Sequence, residues 1–187
     1  MSVPQLTVKD VPADARIYNA RPEGHAGVIA AIVKHHTGGT DSLHHLSTYH
    51  DFPVSIHKLV PKKMPDGKAG HYQIVLDKDR ASHVGESLYA GRDDWNDFSI
   101  GIEVENMGDG LDPYTPEQYE CVAQIIAYQC ALHHIPDDMV RDHKEVAIAR
   151  GRKSDMKGWD DVRMWKRITE IRTQWPANWP AFWACMR

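Results

Sequence analysis

Two hydrophobic periods run through this chain, and each marks a different kind of element. The run Val28-Ile29-Ala30-Ala31-Ile32-Val33 is short, unbroken and rich in β-branched residues, the pattern of a strand buried on both faces. It ends in His35-His36-Thr37-Gly38-Gly39, which predicts that both histidines stand where the strand gives way to a loop. Asp41 is placed to cap a short helix reaching about Tyr49. Strand-like segments follow near 54–60 and 72–76, separated by the turn Pro65-Asp66-Gly67-Lys68. In Ser99–Glu105, Ile100, Ile102 and Val104 alternate with Gly101, Glu103 and Glu105. A period of two puts both glutamates on the face opposite the branched residues.

The period changes after residue 114. Thr115-Pro116-Glu117-Gln118 supplies an N-cap threonine, a proline at the first helical position and a capping-box glutamine. Behind them Tyr119, Val122, Ile126 and Cys130 recur at helical spacing as a core stripe. Cys121 and Cys130 therefore read as buried helix residues rather than ligands. A second helix over about 161–174 carries Val162, Trp165, Ile168 and Ile171, and Pro176 and Pro180 bar its continuation. Strands interleaved with helices define an α/β single domain over 1–187, a central mixed β-sheet flanked by helices. Its core spans about 28–170, with a Trp-rich tail at 175–187. That tail (Trp175, Trp179, Trp183) reads either as a strap packed over the last helix or as a contact surface.

Composition narrows the class. At 187 residues, 42% hydrophobic and 26% charged, the chain has room for one ordinary core. No stretch approaches the ~18 unbroken apolar residues of a membrane span. Met1–Gln5 shows no secretory signal, so cytoplasmic synthesis without signal-driven export is expected. Three cysteines make no disulfide scaffold. Charge is uneven: residues 141–187 balance to +5 and residues 1–140 to −9, which suits either an anionic partner or a solvated helix face.

Twelve histidines are an excess. His44, His45, His50, His133 and His134 lie on or beside helices without evident partners and read as surface or core residues. His35, His36, His57, His83 and His143 stand at strand ends or beside small residues. A loop joins His143 to Asp155; the two either converge on a cation or belong to an ordinary basic loop with Arg150, Arg152 and Lys157.

Four pieces in order change that balance. They are the strand into His35-His36-Thr37-Gly38-Gly39; Val54-Ser55-Ile56-His57; Ser82-His83-Val84-Gly85 leading through Trp95-Asn96-Asp97-Phe98 to Ser99-Ile100-Gly101-Ile102-Glu103; and His143 with Arg152-Lys153-Ser154-Asp155. Together, over roughly 28–170, they resemble the type 2 N-acetylmuramoyl-L-alanine amidases, which include phage endolysins, anhydro-muropeptide amidases and peptidoglycan recognition proteins. The resemblance implies Zn2+ held by His35, His143 and Asp155, with one tetrahedral position left open, as in catalytic zinc sites. It implies Glu103 as general base, Lys153 as the cation facing a developing oxyanion, and His57 and His83 as substrate-groove residues. For Lys153 the plain alternative is a solvated charge, and for His57 and His83 it is packing. His36 is expected on the opposite strand face in a structural role.

The resemblance departs in two places. Ile56 stands where some relatives have tyrosine, and Met156-Lys157-Gly158 stands where many have Pro-Gly after the third ligand. The implied activity is cleavage between N-acetylmuramic acid and L-alanine of peptidoglycan by a monomer without nucleic-acid partners or a membrane span. An endolysin is the first expectation. A cytosolic anhydro-muropeptide amidase and a wall-binding module without catalysis are the alternatives. The metalloprotease pattern His-Glu-x-x-His is absent from the sequence, which argues against an unrelated zinc hydrolase.

Overall fold

Strand order decides where the polar side chains meet. The computed structural model describes residues 3–24, 28–49, 53–149 and 151–175. Its strands are β1 (Thr7–Asp10), β2 (Tyr18–Ala20), β3 (Ala31–His36), β4 (Lys58–Val60), β5 (Gly70–Gln73), β6 (Asp79–Ala81), β7 (Leu88–Tyr89), β8 (Arg92–Asp93), β9 (Ser99–Val104) and β10 (Val140–Asp142). The helices are α1 (Ser42–Ser47), α2 (Pro116–His133), α3 (His143–Val146) and α4 (Asp161–Gln174). The main sheet runs β1-β5-β4-β9-β3-β10. Only β4 and β5 pair antiparallel within it; the other neighbours are parallel, so the sheet is mixed as expected.

β3 and β9 are adjacent interior strands and are buried on both faces. Even-numbered residues of both (Ile32, Ile100, Ile102, Val104) pack with α2 and α4 in the largest apolar cluster. Odd-numbered residues face the other way: Ala31 and Val33 pack with Trp95, Phe98 and Val146. Truncating a residue such as Ile102, which is fully buried, removes contacts on a face that cannot collapse, at about 2–5 kcal/mol.

The expected capping box at α2 is present: Gln118 N donates to Thr115 Oγ1 (3.2 Å) and Thr115 N to Gln118 Oε1 (3.0 Å). Tyr119, Val122, Ile126 and Cys130 are buried along it, and Cys121 and Cys130 are free thiols in the core. α4 covers the predicted residues, but its inward face is Met164, Ile168 and Ile171. Val162 was expected in that stripe and is 81% exposed, because the packed row at i, i+4, i+7 starts two residues later. Arg167 fixes α4 to α2 through both oxygens of Glu120, at 2.6 and 3.0 Å.

Two strand boundaries move. β3 starts at Ala31 rather than Val28, and it keeps both histidines inside the ladder, because His35 pairs with Glu103 and His36 with Val104. Backbone pairing overrides the polar side chains here, since both imidazoles are buried against partners elsewhere in the protein. The segment 54–57 is not a strand: Ser55 N bonds Ser82 O while Val75 N bonds Ile56 O, so no single ladder forms before Lys58. His50, Arg150 and the tail from Pro176, with Trp179, Trp183 and Cys185, lie outside the described residues.

Candidate active site

Three parallel neighbours end at one edge of the sheet, and their ends carry the chemistry. His35 is the fifth residue of β3, and Glu103 is its register partner on β9. Asp142 of β10 pairs with Lys34, so His143, the first residue of α3, follows directly beside His35. Open α/β sheets bind ligands at these carboxyl ends, where loops leave room between strands. The loop after α3 brings Asp155 back to the same point.

The donor atoms converge. His35 Nδ1 lies 2.9 Å from His143 Nδ1, His143 Nδ1 lies 3.0 Å from Asp155 Oδ2, and His35 Nδ1 lies 3.7 Å from the same oxygen. All three residues are buried. A circle through points so spaced has a radius of about 1.9 Å, just under the ~2.0–2.2 Å of zinc–nitrogen and zinc–oxygen bonds. One ion therefore reaches all three atoms from slightly off their plane, and two imidazoles with one carboxylate suit zinc.

The atoms facing away are tied down. His143 Nε2 donates to Val84 O (2.8 Å), which leaves Nδ1 as the lone-pair atom. Asp155 Oδ1 lies 3.1 Å from His36 Nε2, and His36 Nδ1 accepts from Lys157 N (3.4 Å). His36 alternates with His35 along β3, yet it reaches the same Asp155, lines the same cleft and orients the carboxylate through its second oxygen. Nothing in the His-His dipeptide signalled that role.

Protonation states suit a cation. Burial holds the His35 imidazole down at about 4, although Asp155 pulls the other way. Burial raises the Asp155 carboxyl, but its close contacts with the His143 and His35 imidazoles outweigh it and keep the group ionised well below the usual range. Glu103 behaves oppositely. Burial pushes its carboxyl up to about 8, Asp155 adds to the rise and Lys153 tempers it. Its Oε2 is buried without a hydrogen-bond partner. A buried acceptor left open beside a cluster of lone pairs is costly unless a ligand or ion answers it.

These groups border a cleft of about 390 Å³ whose walls include Glu103, Lys153, Arg152, Ser42 and His45. Lys153 has no ion-pair partner among the described residues, and its charge is felt at Glu103, His35 and His36. Arg152 is held to the wall by Val84 O and Glu86 O. His45 was read as an ordinary helix residue and instead lines the cleft. Glu105, the other glutamate on that face, is occupied elsewhere, accepting from the backbone of Asp41 and Lys62.

His57 and His83 need separate accounts. His57 has no exposed surface. Its Nδ1 accepts from Gly101 N (3.0 Å), and its Nε2 faces Asp79 O and the buried Arg21 guanidinium. The expectation that His57 contacts substrate is therefore corrected: it is fully buried beside Gly101 of β9, edge-on to His83, and is not part of the cleft wall. His83 does reach the cleft wall, but both of its nitrogens are engaged within the protein, with His35 and Ser99.

With this geometry in place, the sequence profile of the N-acetylmuramoyl-L-alanine amidases matches residues 25–158. The chain belongs to that family. It is 34% identical to N-acetylmuramoyl-L-alanine amidase AmiD of Escherichia coli over 131 residues, 65% of this chain and 47% of AmiD. A crystal structure of AmpD superposes with a TM-score of 0.70 at 25% identity, covering 88% of this chain and 93% of that one. The structure of E. coli AmiD with the substrate anhydro-N-acetylmuramic acid-L-Ala-D-γ-Glu-L-Lys gives 0.65 at 31% identity, over 74% of this chain and 57% of that one. The chain spans about half the length of the curated relatives it matches. Among the described residues, no helix is long and apolar enough to cross a membrane.

Proposed function

We propose that the chain is a zinc-dependent amidase that hydrolyses the bond between the lactyl group of N-acetylmuramic acid and the L-alanine opening the stem peptide. The convergence of His35 Nδ1, His143 Nδ1 and Asp155 Oδ2 beside the unpartnered oxygen of Glu103 carries this reading. His35, His143 and Asp155 would hold the ion, which when bound would supply a Lewis acid for the amide carbonyl and lower the pKa of a water nucleophile.

The remaining work falls to the chain's own side chains. Glu103 Oε2 takes the proton of the attacking water and passes it to the alanine nitrogen as the C–N bond breaks. This leaves a lactyl carboxylate and a free amino terminus. The Lys153 ammonium faces the negative charge that builds on the carbonyl oxygen, a contribution of about 3–4 kcal/mol where such a donor is pre-placed. Lys153 and Arg152 also favour the carboxylates of the stem peptide.

Soluble anhydro-muropeptide is the substrate form supported by the likeness to AmiD and AmpD. An endolysin acting on intact wall is the second reading. It rests on the tryptophan spacing of the tail and the anion-binding balance of residues 141–187. Mass spectrometry of products from purified anhydro-muropeptides and from intact sacculi tests both. Release of unmodified stem peptide beginning with L-alanine is expected, faster from the soluble fragments. Faster release from sacculi supports the endolysin, and cleavage at any other bond refutes the amidase reading.

A further inference from the structure

The site's third imidazole, His83, lies behind His35 rather than in front of it. His83 Nδ1 is 3.0 Å from His35 Nε2. Two ring nitrogens at that distance are bridged by one proton, or by a cation as in the metal reading of His35 Nδ1 and His143 Nδ1, and the contact alone does not say which ring owns the proton. The far end of His83 decides. Its Nε2 is 3.2 Å from Ser99 Oγ, and Ser99 spends its only hydroxyl proton on Trp95 O at 2.5 Å. Ser99 Oγ must then accept, so His83 carries its proton on Nε2. Neutral His83 has a lone pair at Nδ1, and it receives the proton of His35 Nε2. Neutral His35 is left with its lone pair on Nδ1, the atom turned toward His143 and Asp155.

The backbone is shaped for this ring. A Cβ at Gly101 would come within 2.6 Å of His83 Nδ1, so any larger residue displaces the imidazole. The ring also stands edge-on to His35 and His57, at 5.1 and 5.6 Å between centroids. On the cleft face of β9, Ser99 anchors His83, Gly101 seats it, and Glu103 follows two residues on.

We infer that His83 is a positioning residue which, anchored by Ser99 and seated on Gly101, holds His35 in the Nε2–H tautomer and so makes Nδ1 its ligand atom. The inference rests on the metal reading of the site. With the opposite tautomer, a proton would occupy the point where His35 meets His143, and a cation would first have to displace it.

The test uses a matched pair. His83→Asn keeps an acceptor oxygen close to the place of Nδ1, whereas His83→Leu has similar size and none. Zinc affinity, measured by chelator competition, should fall ~10–100-fold in the leucine variant and be restored in the asparagine variant. Long-range proton–nitrogen correlations on the metal-free protein should show His35 protonated at Nε2 in wild type and the asparagine variant, shifting toward Nδ1 with leucine. Equal losses in both variants, or an Nδ1–H tautomer in wild type, overturn the inference. Because the tautomer is read without metal, it decides the role of His83 even where wild type takes up no zinc, a result that sinks only the metal reading.

Discussion

Glu103 stands directly opposite His35 in the parallel pairing of β3 with β9. That single register relationship sets a carboxylate beside an imidazole at the same height on the cleft face. Shifting the register by one residue would bring Ile102 or Val104 opposite His35 and turn Glu103 into the apolar cluster beneath α2.

Glu103→Gln keeps the shape of the side chain and removes its capacity to take a proton. Turnover should drop ~10²–10⁴-fold while zinc content by elemental analysis stays at the wild-type level. Loss of zinc in this variant would mean that Glu103 is a ligand rather than the base.

Metal removal should cost stability, because an ion that binds only the folded state stabilises it. At a free zinc concentration 100 times the dissociation constant the gain is about 2.7 kcal/mol. A chelator should therefore lower the melting temperature of wild type, and the same treatment should not move His143→Ala, which has lost one of three donors. A melting temperature in wild type indifferent to zinc and chelator contradicts the ligand set.

His36→Ala removes the group behind Asp155 Oδ1 and frees the carboxylate to rotate. Partners of this kind are commonly worth ~10–100-fold in metal affinity. Chelator competition should show a loss in that range, with the metal-free protein folded by circular dichroism. Unchanged affinity would reduce His36 to packing against Gly108.

Acid should destabilise the fold through buried neutral histidines remote from the ligands. Burial holds His71 down at about 3, and nearby Lys58 adds to the effect. A folded-state value below the unfolded ~6.5 means that the unfolded chain binds more protons in between, so stability falls as pH drops from about 6.5 toward 3. Each such histidine contributes about 1.4 kcal/mol per pH unit in that window. Denaturant unfolding of wild type and His71→Leu at pH 7, 6 and 5 should show a slope shallower by one proton in the variant. Parallel slopes would show that His71 is protonated in the folded state.

Much of the candidate site was legible because its residue types are scarce and chemically committed. The resemblance to the type 2 amidases singled out His35, His143, Asp155 and Glu103, and the structure brings all four to one cleft. His57 was misread as a groove residue because Val54-Ser55-Ile56-His57 looks the same whether its end opens to solvent or is buried beside β9. The alternation of Ser99–Glu105 correctly separated Glu103 from Ile102. It could not separate Glu103 from Glu105, since both share a face and only the packing of Lys62 and Asp41 occupies the second.

The amino-acid sequence by itself determined the local elements: the α2 cap and stripe, the extent of α4 and the face of Glu103. These depend on neighbours within about a turn of helix or two residues of strand, which the sequence states directly. Tertiary structure alone decided which hidden atoms brace the site: Val84 O behind His143, His36 behind Asp155, Ser99 behind His83. Such hydrogen bonds join residues well beyond one element, 59 positions apart for His143 and Val84 and 16 for His83 and Ser99, and their geometry exists only once parallel strands have aligned their carboxyl ends.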